Sequence, residues 1–138
     1  MSVREGILLL ATKFSGKKSK GTEQSDLLGA FSLDGADASD FLEGYMEKFN
    51  VDLSDLRWEF HFNADEPPHS RRILPIDADG RVIPYMPITL DQLVAAAEQG
   101  CWQFDYPEHA LRNGFSSRFS LSIFAMLLVF LFVLHSLF

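Results

Sequence analysis

Apolar positions recur at helical spacing most clearly between residues 34 and 50. Ala38, Phe41, Leu42, Tyr45, Met46 and Phe49 fall three and four apart, while Asp37, Asp40, Glu43 and Glu47 take the other side. The spacing predicts an amphipathic helix with an acidic outer surface. Asp34 is placed as its N-cap, Asp37 puts negative charge at the positive end of the helix dipole, and Asn50 suits the left-handed turn that ends it. Ser54 is then the expected cap of a short helix, SDLRWEF. A second pattern opens at Thr89, with Gln92 three residues on as a capping box and Ile88 and Leu93 as a hydrophobic staple. Leu90, Leu93, Val94 and Ala97 continue its apolar face, and Gly100 ends it. Residues 3–14 read as a further short helix. Phe41, Tyr45, Phe49, Leu93 and Val94 are expected to share one core.

Other stretches break this rhythm. Five of the six prolines fall at 67, 68, 75, 84 and 87, which excludes helix there and leaves ILPIDADGRVIP as a loose hairpin or inserted loop. Asp77 and Asp79 before Gly80 resemble the start of a calcium loop, but position 88, where a bidentate Glu would fall, is Ile88, so a plain turn is the better reading. Residues 119–138 contain no Asp, Glu, Lys or Arg, and 123–134 are apolar on every side. Such a segment is about 30 Å long as a helix, the thickness of a bilayer core, and predicts a C-terminal transmembrane anchor. Arg112 and Arg118 precede it, so the positive-inside rule gives a tail-anchored protein of the inner membrane with its N-terminal domain cytoplasmic. The expected division is a domain over 1–110, a linker over 111–118 and a span over 119–138.

Composition narrows the function classes. The chain has 138 residues and a net charge of −7, enough for one domain and an appendage and the wrong sign for binding phosphate backbones. Nucleic acid is therefore not an expected partner. Eleven acidic residues lie between positions 26 and 66 against Lys48 and Arg57, so the negative charge is concentrated. Lys13, Lys17, Lys18 and Lys20 form a small basic counterpart, suited to anionic headgroups or to plain solvation. Cys101 is the lone cysteine, which excludes an internal disulfide and a Cys-rich zinc site.

The order of helix, long loop, acidic helix opening at an Asp, short helix and capped final helix resembles an acyl carrier protein. In that family an Asp-Ser-Leu-Asp motif opens the second helix and its serine carries phosphopantetheine. Aligning the two helices on Phe49 places Asp34, Gly35, Ala36 and Asp37 on the motif, with Gly35 at the attachment position. The resemblance therefore implies a carrier-like domain without the prosthetic arm; modification at Ser39 is the alternative. The LDGADA opening, FLEGYMEKFNVDLS and TLDQLVAAAEQGCW also resemble an uncharacterised bacterial family, domain of unknown function fourteen ninety-three, over roughly residues 3–105. That resemblance implies no activity.

Candidate chemistry is sparse. His61, His69 and His109 stand in no metal-binding spacing, Cys101 beside Trp102 reads as a small buried thiol, and neither GxSxG nor a P-loop occurs. No enzymatic activity, cofactor or metal is expected, and no small-molecule substrate is identified. The expected fold is mainly α: a small acyl-carrier-like bundle with a Pro-rich insertion and one transmembrane helix. The expected partners are a lipid bilayer and a basic protein docked on Asp37, Asp40, Glu43 and Glu47, since charged faces steer association.

Overall fold

The computed structural model of the chain describes residues 1–64, 71–114 and 117–137, the side chains of 117–124 excepted. Helix α1 (Val3–Ser15) begins where the Ser2 side chain accepts the Glu5 N–H and stops at Gly16 in the left-handed conformation. A single turn, α2 (Leu27–Ala30), is capped by Asp26, which accepts the Gly29 N–H. Helix α3 (Gly35–Phe49) ends at Asn50, whose φ of +52° lets its N–H reach the Met46 carbonyl. Helix α4 (Leu90–Gln99) carries both halves of its capping box: Gln92 N–H donates to Thr89 Oγ1, and Thr89 N–H donates to Gln92 Oε1. A 3-10 turn (Trp58–Phe60) and two strands, β1 (Ile73–Ile76) and β2 (Ala110–Asn113), lie between and after these helices, and α5 (Ser117–Leu137) follows.

Helix α1 packs against both α3 and α4. Its Ile7, Leu10 and Ala11 join Phe41 and Tyr45 of α3 and Leu93 of α4 in one buried cluster. Phe49 and Val94 pack at its margin, half-buried. Close approach of α1 to α3 depends on Gly44, because a Cβ there would stand 2.9 Å from the Phe14 ring. The buried Tyr45 hydroxyl donates to the Leu93 carbonyl at 2.7 Å, giving the phenol a partner and tying α3 to α4. Beyond both helices the chain is clasped again: Asp52 N–H donates to the Gly100 carbonyl, and Trp102 N–H to the Asp52 carbonyl, each at 2.9 Å.

Several expectations are corrected. The fold is mixed, helices with a two-stranded antiparallel sheet, and not a mainly α, carrier-like bundle. Strand β1 pairs with β2 from Ile73↔Asn113 to Ile76↔Ala110, so residues expected to be linker complete the sheet. The Asp77 turn forms as a side-chain-stabilised turn, Asp77 Oδ1 accepting the N–H groups of Asp79 and Arg81. Its return limb touches β1 through the Ile83 N–H to the Pro75 carbonyl. The short helix expected from Ser54 starts only at Trp58; Ser54 N–H is instead taken by the Asp52 side chain.

Among the described residues no helix is long and apolar enough to cross a membrane. This overturns the transmembrane span at 119–138, the tail-anchored arrangement and the inner-membrane placement with a cytoplasmic N-terminal domain. The Arg118 side chain, and Pro67, Pro68 and His69, lie outside the described residues.

Candidate functional site

The acidic residues singled out in the sequence lie together on α3. Asp37, Asp40, Glu43 and Glu47 are all exposed and fall within about 120° of arc over some 15 Å of helix. None of the four forms an ion pair among the described residues; the pair that does form joins Arg4 to Asp91. Asp34 occupies the N-cap position, but its carboxylate is spent elsewhere, accepting the Asn63 N–H and Nδ2–H at 2.8 Å each. It fastens the loop after the 3-10 turn to the start of the helix. The apolar side of α3 is held by the core, so the carboxylates ride on a rigid support.

A second site was not foreseen. His61, which stands in no metal-binding spacing in the sequence, is buried at 7% exposure between the 3-10 turn and residues 101–109. Its Nδ1–H donates to the Met86 carbonyl at 2.6 Å, and its Nε2 accepts the Tyr106 hydroxyl at 2.7 Å. The Tyr106 oxygen in turn accepts the Arg57 N–H and the Trp102 Nε1–H, both at 3.1 Å. Every polar atom in this network has its partner, as burial demands. Trp102, Phe104 and Tyr106 surround the imidazole, the Phe104 ring edge-on at 5.2 Å. Burial pushes the His61 imidazole below its ordinary value, against an upward pull from the Met86 carbonyl and the Glu59 charge. Burial likewise raises the Tyr106 phenol.

This cluster forms one side of an open groove of about 1270 Å³, walled by the 3-10 turn region, the Asp77 turn and residues 102–110. Asp55, Glu59, Asp77, Asp105 and Glu108 line it against one arginine, Arg57. His109 sits at the edge, its Nδ1–H bonded to the Pro107 carbonyl and its ring edge-on to Phe60 at 4.6 Å. The histidine best placed for proton transfer, His61, has both nitrogens committed to structural bonds, and no group of three His, Cys, Asp or Glu side chains converges on a metal position among the described residues. Cys101 is a free thiol, half-buried outside the groove. The arrangement sets carboxylates next to aromatic surface. Its sequence signal was present: Trp102, Phe104 and Tyr106 alternate with Gln103 and Asp105, a period-two pattern of an extended segment with one aromatic face.

Residues 5–105 match the family described as protein of unknown function (DUF1493), so the chain belongs to that family. No curated protein and no solved structure matches it.

Proposed function

We propose that this member of the DUF1493 family is a non-enzymatic docking module that presents the acidic face of α3 to a basic protein partner. The observation that carries the reading is the exposure of Asp37, Asp40, Glu43 and Glu47 on one face of a core-anchored helix, none of them in an ion pair. Fixed carboxylates of one sign raise the local concentration of a cationic partner and orient it, at no cost in rearrangement of the helix. Titration with a fluorescent oligolysine peptide at low salt tests this. Reversing Asp40 and Glu43 to Lys weakens binding at least about tenfold without lowering the melting temperature. The control reverses Asp79 and Glu98, two exposed carboxylates elsewhere, and so makes the same change in net charge. Equal losses in the two variants would reduce the α3 face to ordinary solvated surface.

On this docking reading the module carries no phosphopantetheine arm. Gly35, at the attachment position, has a φ of +53°, a backbone that a serine adopts only under strain. Ser39 is exposed between Asp37 and Asp40 and is the hydroxyl left for the alternative, an unconventional carrier. Incubation with a promiscuous phosphopantetheinyl transferase and coenzyme A leaves the intact mass unchanged on the docking reading; a phosphopantetheine adduct on Ser39 would replace it.

A further inference from the structure

We infer that the groove beside Tyr106 is a recognition site for an arginine side chain of a basic polypeptide, with Glu59 as its counter-charge. Glu59 is 7% exposed and lines the groove, yet its carboxylate has no hydrogen-bond or ion-pair partner among the described residues. Its oxygens are not among the side-chain atoms sealed from solvent, so the little exposure the residue keeps is at the groove it lines, and a cation bound there would meet a carboxylate already walled by protein on its other sides. Arg71, whose Nη2–H donates to the Glu59 backbone carbonyl at 3.3 Å, leaves the carboxylate open to a cation from outside. Arg57 borders the same groove without pairing to it. The negative charge of Glu59 acts on both His61 and Tyr106, which puts the carboxylate beside the hydrogen-bond network at the groove's aromatic side.

The surroundings favour a guanidinium over an ammonium ion. Phe104 and Tyr106 line the groove, 4.6 Å apart between ring centroids. A planar, weakly hydrated guanidinium stacks on such rings while its fork of N–H donors pairs with a carboxylate, which a compact, strongly hydrated ammonium does less well. Asp55, Asp77, Asp105 and Glu108 add negative potential at the mouth and exclude anionic ligands. The site shares no residue with the α3 face and stands whether or not that face docks a partner.

The test is an NMR titration of the full chain with N-acetyl-arginine amide, followed at the Trp102 indole N–H, with N-acetyl-citrulline amide as the neutral isostere. The arginine probe shifts that resonance saturably and the citrulline probe does not. Glu59→Gln weakens the arginine probe by at least about tenfold. It leaves the melting temperature equal or higher, since the carboxylate it removes has no internal bond. The α3 double reversal binds the arginine probe as the unmodified chain does, which separates failure of this site from failure of the docking face. Absence of saturation, equal binding of citrulline, or unchanged affinity in Glu59→Gln would overturn the assignment.

Discussion

At the scale of single residues, His61 shows how a buried polar side chain is fixed by its neighbours. The Met86 carbonyl can only accept, so Nδ1 holds the proton and Nε2 is left as an acceptor for the Tyr106 hydroxyl. Protonating Nε2 would set a donor against an oxygen that already accepts from Arg57 and Trp102. The folded state therefore favours neutral imidazole, in line with the lowering of its pKa by burial from the ordinary value of 6.5. The sign follows: the unfolded chain takes up the proton more readily, so this contribution to stability is complete above about pH 6.5 and is lost as pH falls through the lowered value. Unfolding free energies from urea titrations between pH 7.5 and 5 should decline as the pH falls, by at most about 1.4 kcal/mol per pH unit for the one proton. His61→Gln, which keeps a donor and an acceptor but cannot titrate, should flatten that decline. An identical slope in the variant would place the proton uptake elsewhere.

At the scale of elements, the helices were legible and the sheet was not, for one physical reason. A helix end is a local event: Thr89 and Gln92 are three residues apart and complete each other's hydrogen bonds, and Asn50 and Gly100 stop α3 and α4 within one turn. Because both halves of the capping box form, Thr89→Ala should cost about 1 kcal/mol in a denaturant titration. A loss below about 0.3 kcal/mol would mean that water replaces the cap without penalty. Strand β1, by contrast, finds its partner across a gap of more than thirty residues, and β2 is exposed at all four positions, so no apolar alternation announces it. The same contrast governs the two candidate sites. The acidic face of α3 is the complement of its apolar face and is readable from one segment. The groove gathers the 3-10 turn region, the Asp77 turn and residues 102–110, and only the aromatic alternation of the last carried a local sign.

At the scale of the whole molecule, the buried cluster runs from α1 to Trp102, with Phe104 packed at its margin, and takes nothing from the described side chains of α5. The side chains of α5 from 125 to 137 are exposed throughout. Uninterrupted hydropathy signals burial against some apolar phase but does not name it, and here the folded body is not that phase. The sheet lies on the other side of this division: β2 pairs with β1 along its full length, β1 contacts the 3-10 turn, and Ala110 lines the groove. The boundary of the cooperative unit therefore falls after β2. A chain ending at Gly114 should keep the cooperative unfolding transition within about 0.5 kcal/mol, as for surface changes that remove no core contact, and should associate less because the exposed apolar helix is gone. A chain ending at His109 should lose at least about 1 kcal/mol, because every ladder bond of β1 to β2 disappears with the strand. Equal stability of the two truncated chains would show that β2 adds nothing to the body; loss of folding in the longer one would show that α5 belongs to the core after all.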